Sequence, residues 1–193
     1  MEVGNVLRDS GVSVVELRAS IVIGAGSLSF ELVRSLVDKL PVMLVPRWVL
    51  TPAQPISIED LVSYLIEAAS VELPPGAIVD VGSEDQVSYL DLMREYARQR
   101  GLRRWFVPVP LLSPRVSGWW LELLTPLYSH VGRHLVESLR TPTVVRDRAP
   151  AARFSTRPCR VSKAIAVTLA ADRRRDGRTD PGLCLPIERV DPC

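Results

Sequence analysis

The spacing of hydrophobic residues predicts a chain in which strands and helices alternate. Residues 12–24, VSVVELRASIVIG, are rich in β-branched residues and predict a strand that extends through Ile21–Ile23. Apolar residues at helical spacing follow and predict a helix that Ser29 caps and Pro41 ends. The short apolar run VMLV at residues 42–45 predicts a further strand.

The clearest helical pattern follows the proline-rich loop near residue 50. One apolar stripe at the spacing of an amphipathic helix consists of Ile58, Leu61, Val62, Leu65, Ile66 and Ala69. Ser57 with Asp60, and Ser88 with Asp91, have the spacing of helix N-caps. A second helix is therefore predicted from Ser88 to Gly101, and its inward residues are Leu92, Met93, Tyr96 and Ala97.

Two of the predicted strands, around Val14–Leu17 and Ile78–Val81, are apolar on both faces. Such strands belong inside a parallel sheet that helices cover on both sides. WFVPVP at residues 105–110 predicts an extended segment, and helices are predicted at about 113–124 and 129–139. Two or three strands are too few for a stable doubly wound sheet, so the pattern indicates the back half of a larger α/β fold.

Charge and cysteine usage narrow the class of protein. Residues 1–150 carry 15 basic and 17 acidic side chains, whereas residues 151–193 carry 9 and 5. This distribution gives no case for nucleic-acid binding, which clusters positive charge on one face. The sequence has no signal-peptide pattern and no apolar run of membrane-spanning length, and its odd number of cysteines argues against a disulfide framework. These features predict a cytoplasmic protein without a membrane span.

The character of the sequence changes near residue 149. Residues 149–193 are basic, poor in aromatic residues and weakly periodic except for VSKAIAVTLA, so we expect a largely disordered tail after a folded region at residues 1–148. Arginine-, alanine- and proline-rich text of this kind is typical of a shifted reading frame in GC-rich DNA. We therefore hypothesise a truncation at the start of the chain and a frameshift near its end.

No complete catalytic or metal-binding motif is present. GAGSLSF at residues 24–30 follows a strand and opens a helix, as a dinucleotide-binding loop does, but Ser29 replaces the third glycine and a plain loop is favoured. His130 and His134 have a metal-ligand spacing without a third ligand. The adjacent tryptophans Trp119 and Trp120 cannot both face one helix core, which predicts that one of them meets a second surface.

Five stretches carry a resemblance to a known family. They are ELRASIVIGAGSLSFE, LPVMLVPRWV, QPISIEDLVSYL, VDVGSEDQVSYLDLMREYA and PVPLLSPRVSGWWLELLTPL, and together they lie within residues 2–148. In combination they resemble the C-terminal half of atypical and extended short-chain dehydrogenase/reductases, and the NmrA-like and complex-I-39-kDa-like group in particular. The resemblance implies an α/β fold, namely the C-terminal part of a Rossmann-like parallel sheet with a small helical substrate lobe and without the N-terminal nucleotide-binding half.

The same resemblance implies what the chain does. It implies NAD or NADP as the cofactor, with Ile23, Gly24 and Gly26 near the nicotinamide and Arg47, Trp48 and Gln54 on the substrate side. The glycine-rich nucleotide loop and the Tyr-x-x-x-Lys catalytic pair of active members are not found in this sequence.

We therefore expect a substrate-lobe fragment of an NAD(P)-dependent oxidoreductase or epimerase-like protein. It is not expected to be active or to bind cofactor tightly alone, and its partner would be the missing N-terminal half or a second copy. The alternative is a non-enzymatic interaction or dimerisation module that uses the Trp119-Trp120 face.

Overall fold

Helices and short strands alternate through residues 2–9, 11–109 and 141–175, which are the parts of the chain that the computed structural model describes. The strands are β1 (Glu16–Ala19), β2 (Val22–Ile23), β3 (Val42–Pro46), β4 (Pro52–Ala53), β5 (Ile56–Ser57), β6 (Ile78–Val81), β7 (Val87–Ser88) and β8 (Trp105–Val109). The helices are α1 (Glu2–Asp9), α2 (Leu28–Lys39), α3 (Ile58–Ala68), α4 (Tyr89–Gln99) and α5 (Val161–Arg175), with 3-10 turns at Arg47–Leu50 and Ala151–Arg153.

The strands form pairs that are mostly parallel. β1 pairs with β6, β2 with β5 and β3 with β8 in parallel, whereas β4 and β7 are antiparallel. Helices connect the parallel partners, as crossover connections require. The prediction of a partial Rossmann-like α/β fold with parallel strands is confirmed.

The buried hydrophobic residues form two clusters. The larger core includes Phe30, Leu92 and Tyr96, and the Phe30 and Tyr96 rings meet edge-on at 5.9 Å between centroids. The smaller core packs α3 on the β1–β6 pair around Tyr64, Val79 and Phe154. The inward residues predicted for α4, namely Leu92, Met93, Tyr96 and Ala97, are all buried.

Side-chain hydrogen bonds to the main chain mark the first turns of α3 and α4. Ser57 Oγ accepts the Asp60 N–H at 3.0 Å, and Ser88 forms a full capping box with Asp91, so both predicted caps are confirmed. The predicted cap at Ser29 is wrong, because α2 begins at Leu28 and Ser27 holds the N-cap position.

Most residues of the α3 apolar stripe are exposed, whereas Leu61 packs against the smaller core. Its exposed fractions rise from 37% at Ile58 to 44% at Val62, 55% at Leu65 and 69% at Ile66. Tyr64 is the buried residue of this helix. A stripe of this kind ordinarily lies against another element. Within the described residues, Val62, Leu65 and Ile66 remain largely exposed.

The expectation of a disordered tail is wrong for residues 151–175. α5 packs against α4, β5 and β2, and it buries Val161, Ala164, Ile165, Thr168 and Leu169. Arg34 Nη2 of α2 lies 2.7 Å from Asp172 Oδ2 of α5. The many charged residues of this segment favoured the prediction of disorder, although one face of the helix consists of small and branched residues that are buried.

Carboxylates from residues 60–85 accept hydrogen bonds from the segment that leads into α5. They accept hydrogen bonds from four backbone N–H groups, in the pairs Arg146–Asp80 at 3.2 Å, Ser155–Glu67 at 2.6 Å, Cys159–Asp60 at 2.9 Å and Val161–Asp85 at 3.0 Å. The segment is therefore ordered through its main chain.

None of the helices among the described residues has the length and hydrophobicity needed to span a membrane. The helices predicted at 113–124 and 129–139 lie outside the described residues, as do His130, His134 and the Trp119-Trp120 pair.

Candidate functional site

Two open clefts lie where β1 and β6 end. Because these strands are parallel, their carboxyl ends share one edge, which is where open α/β sheets bind ligands. One cleft, of about 330 Å³, is lined by Arg18, Ala19, Ser20, Asp80, Val81 and the segment 143–146. The other, of about 480 Å³, is lined by Gln54, Tyr64, residues 80–84, Val145, Arg148, Ala151, Ala152 and residues 156–158. Both clefts share Asp80, Val81 and Val145.

Gln54 forms the wall of the larger cleft. Its side chain is 2% exposed, its Nε2 donates to the Ser83 carbonyl at 2.6 Å, and its Oε1 accepts the Val145 N–H at 3.0 Å. A Cβ at Gly82 would lie 2.8 Å from the Gln54 carbonyl oxygen, so only glycine fits there. Gln54 is thus placed at the candidate site, where its two polar ends join the loop after β6 to the segment 143–145.

The predicted cofactor loop has a tightly packed start and an exposed end. Ile23 is fully buried and pairs with Ser57, so only its main chain could face a ligand. A Cβ at Gly24 would lie 2.6 Å from Ile58 Cγ2, which makes Gly24 a point of close approach between the loop and α3. Gly26 is exposed and has φ +81°, a conformation that favours glycine.

This loop does not form a phosphate cradle. The Gly26 N–H points at its own chain's Glu31 carboxylate, 3.5 Å from Oε1, where a pyrophosphate would need an open amide. Glu31 in turn pairs with Arg34 at 2.8 Å. At the start of α2 the Gly26 N–H therefore faces a carboxylate of the helix's own first turn.

Arg47 lies apart from the clefts. It begins the 3-10 turn after β3, is exposed, and lines neither cleft. The main chain of Trp48 belongs to the same turn, and its side chain lies outside what the structure describes. Of the two predicted substrate-side residues whose side chains the structure describes, Gln54 lines a cleft and Arg47 lines neither of them.

Arginines that sequence reasoning missed contribute to the clefts. Arg148 and Arg157 line the larger one, and Arg18 and Arg146 line the smaller one. The guanidinium of Arg157 donates from Nη1 to the carbonyls of Phe154 at 2.8 Å and Thr156 at 3.1 Å, which fixes its position. Arg148 directly precedes the expected start of the tail at residue 149, and Arg157 lies within the expected tail. Because that region was predicted to be disordered, neither arginine was predicted as a site residue. Guanidinium groups can bind carboxylates and phosphates through paired hydrogen bonds, and the carboxylates of Asp80 and Glu84 line the same clefts.

No catalytic acid, base or nucleophile stands out among the described residues. Burial raises the pKa of Tyr64, Tyr89 and Tyr96 above its ordinary value, which disfavours the phenolate. Burial, with a hydrogen bond to Asp60, raises the pKa of Cys159 to about 11, so this thiol is not a ready nucleophile. The described residues also contain no group of acidic, histidine or cysteine side chains placed to hold a metal ion.

Comparison with known proteins identifies the fold. No family model and no curated protein matches the chain. Among solved structures, it is similar to TunA, an NAD-dependent NDP-hexosamine 5,6-dehydratase of tunicamycin biosynthesis, with 16% identity and a TM-score of 0.57 over 91% of this chain and 51% of that one. It is also similar to the UDP-glucuronic acid 4-epimerase of Bacillus cereus, solved with UDP-glucuronic acid and NAD, with 12% identity and a TM-score of 0.59 over 90% and 50%.

A third similar structure is RMD from Pseudomonas aeruginosa in complex with NADPH, with 13% identity and a TM-score of 0.56 over 86% of this chain and 52% of that one. The chain therefore spans about half the length of the solved structures that it matches. One of these neighbours is named as NAD-dependent, and the other two were solved with NADPH or NAD. The chain has the fold of about half of each of these structures.

Proposed function

We propose that the chain is the substrate-side portion of an NAD(P)-dependent oxidoreductase or epimerase-like protein, and that it works with a nucleotide-binding half that this sequence does not contain. One observation carries the proposal: the fold matches 86–91% of this chain to about half of enzymes that use NAD or NADPH. Within that class we favour a relative of the NmrA-like and complex-I-39-kDa-like group, on the five stretches of sequence that resemble it.

The clefts at the carboxyl edge of β1 and β6 support a role in holding a substrate. Arginines line both of them, and the neighbours named above include enzymes of nucleotide sugars, whose phosphates are anions. We assign Gln54 to the shape of the larger cleft and Arg47 to a contact with the substrate across the boundary with the other half. Ile23, Gly24 and Gly26 would border the nicotinamide through their main chain.

The cofactor test uses a fusion of the full chain to the nucleotide-binding half of the UDP-glucuronic acid 4-epimerase. NADH fluorescence is titrated with the fusion, the isolated half and the chain alone. We expect saturable binding by the fusion that is tighter than that of the isolated half, and none by the chain alone. Tight NADH binding by the chain alone, or a fusion no better than the isolated half, would contradict the proposal.

The substrate test uses the same fusion with the substitution Arg47→Ala. Loss of a charged hydrogen bond should weaken UDP-glucuronic acid binding by about tenfold or more and leave NADH binding unchanged. Arg103→Ala, which removes another exposed arginine of the lobe, is the matched control and should change neither affinity. Equal effects of the two substitutions would remove Arg47 from the substrate side.

A further inference from the structure

We propose that residues 147–158, here called the strap, form a wall of the larger cleft that opens as a unit while the two hydrophobic cores stay folded. The opening itself depends only on the contacts of the strap. Its use as a gate through which a substrate enters the cleft rests on the proposed function.

The strap lies across the larger cleft from residues 11–109, here called the body. Six strap residues between Arg148 and Pro158 supply one side of the cleft, and Gln54, Tyr64 and residues 80–84 supply the other side. The position of the strap therefore sets the width of the cleft.

Both ends of the strap are anchored. Before it, Thr143 donates its N–H to the Pro52 carbonyl at 3.1 Å and accepts the Gln54 N–H at 2.9 Å. After it, Val161 begins α5 and is 2% exposed in the larger core. These two anchors can hold the chain while the residues between them move, as the ends of an active-site loop do.

The strap keeps its own shape through local hydrogen bonds. The Ala152 N–H donates to the Arg148 carbonyl at 3.0 Å, and the Phe154 N–H donates to the Ala151 carbonyl at 3.1 Å. The guanidinium of Arg157 donates to the Phe154 carbonyl at 2.8 Å. Because these bonds join strap residues to one another, the strap can leave the body as a folded piece and keep them.

One apolar side chain and one carboxylate provide the main contacts between the strap and the body. Phe154 is the one strap residue that is buried, and the centroid of its ring lies 5.1 Å from that of Tyr64. Glu67 accepts hydrogen bonds from the Ser155 N–H at 2.6 Å, the Ser155 hydroxyl at 2.9 Å and the Thr156 hydroxyl. A segment with so few buried contacts opens at a lower free energy than a hydrophobic core does.

Opposite charges across the cleft favour the closed position. The strap carries three arginines and one aspartate. Arg148 and Arg157 line the cleft on the strap side, and Asp80 and Glu84 line it on the body side. Attraction between solvated charges of this kind is weak and is screened by salt, so it guides closure without locking the strap.

The test follows a thiol that the closed strap covers. Val81 lines the larger cleft, is 3% exposed and packs in the same cluster as Phe154, so the thiol introduced by Val81→Cys reports opening of the strap. The thiol introduced by Ala97→Cys in α4 lies in the larger core and reports unfolding of that core. Both substitutions are made in the full chain with its three native cysteines replaced by alanine.

Reaction with a maleimide is timed for each thiol and divided by the rate of the same thiol in the urea-unfolded chain. Thermal melting confirms that each variant folds as the parent chain does. We expect the Val81→Cys thiol to react at least about tenfold faster than the Ala97→Cys thiol. Low concentrations of urea should leave the faster rate unchanged, because opening the strap exposes little surface.

Glu67→Ala should accelerate the reaction of the Val81→Cys thiol by about tenfold or more, because the strap loses its hydrogen bonds to a charged group. Glu59→Ala removes an exposed glutamate of the same helix and is the matched control, so it should leave that rate unchanged.

Ile165→Val separates opening of the strap from unfolding of the whole domain. Ile165 is buried in the larger core, so this change should accelerate the Ala97→Cys thiol by about threefold or more and leave the Val81→Cys thiol unchanged. Equal rates for the two thiols, equal effects of Ile165→Val on both, or no effect of Glu67→Ala would each overturn the inference.

The fusion described under Proposed function distinguishes the two ideas. A fusion that binds NADH, together with thiols that react only on global unfolding, removes the strap opening and leaves the proposed function standing. Separate opening of the strap, together with a fusion that does not bind NADH, does the reverse.

Discussion

Gln54 connects three parts of the molecule through its amide and its main chain. It bonds to the Ser83 carbonyl, the Val145 N–H and, through its own N–H, the Thr143 carbonyl. Both side-chain bonds lie in the interior or at its border, where an unpaired polar group costs about 1–3 kcal/mol. The shape of the larger cleft therefore depends on this one residue.

Replacing Gln54 by leucine should lower the free energy of unfolding by about 2 kcal/mol or more, because the Ser83 carbonyl and the Val145 N–H lose their partner. Urea denaturation measures the change. Gln86→Leu is the control, since Gln86 is exposed, and it should alter stability by no more than about 0.5 kcal/mol. Similar losses in both variants would show that Gln54 has no special structural role.

Glu67 predicts a pH dependence of stability. Hydrogen bonds, first from the Thr156 hydroxyl and then from the Ser155 N–H, lower the pKa of its carboxyl below the ordinary 4.5. Because the folded pKa is the lower one, the stabilisation is fully present above pH 4.5 and is lost as the pH falls through the folded pKa.

Denaturation of the parent chain and of Glu67→Gln across that range should therefore give a difference in stability that shrinks on acidification. Ser63→Ala, an exposed change on the same helix, is the control and should show no such trend, because it removes no titratable group. A difference between parent and Glu67→Gln that stays constant down to the acid transition would contradict the assignment.

Helix α5 shows what local pattern can and cannot predict. The caps at Ser57 and Ser88 follow from side chains and amides three residues apart, so the sequence alone locates α3 and α4. α5 carries three consecutive arginines in its last turn, and its buried face is made of short side chains. Only the neighbouring elements reveal that this face is covered, and composition therefore favoured disorder.

The position of α5 predicts that it stabilises the larger core. Ile165 is fully buried there, so Ile165→Ala should cost about 2–5 kcal/mol in the free energy of unfolding. Thermal and urea unfolding measure the loss. Lys163→Ala on the exposed side of α5 is the control and should change little. If Ile165→Ala left the unfolding transition where it was, α5 would not belong to the cooperative unit.

At the scale of the whole molecule, the fold class could be predicted from the sequence, whereas only some of the residues that line the clefts could be predicted from it. Strands apolar on both faces predict parallel pairing, and the structure has three parallel pairs. The clefts combine β1, β6 and a segment more than 60 residues further along the chain, with Thr143 at hydrogen-bonding distance from Ser20. Such a long-range contact leaves no local signature, which is why Arg146, Arg148 and Arg157 were not predicted.

Within the described residues β1 pairs with a single strand, β6, and this pairing predicts the exchange of its amide hydrogens. In the free chain the Arg18 N–H, which points at β6, should be protected, and those of Leu17 and Ala19 should exchange rapidly. Hydrogen exchange followed by NMR measures the three rates. Strong protection at Leu17 in the free chain would mean that another strand already lies at this edge.

The four carboxylates that accept N–H groups from residues 146–161 bear on how this stretch can evolve. They recognise the main chain, which every residue except proline carries in the same form. The exposed side chains of the stretch can therefore be exchanged without changing the path of the polypeptide, whereas Phe154 and Val161 are buried and are also constrained by packing. Proline at Arg146, Ser155, Cys159 or Val161 would remove one of the four N–H donors.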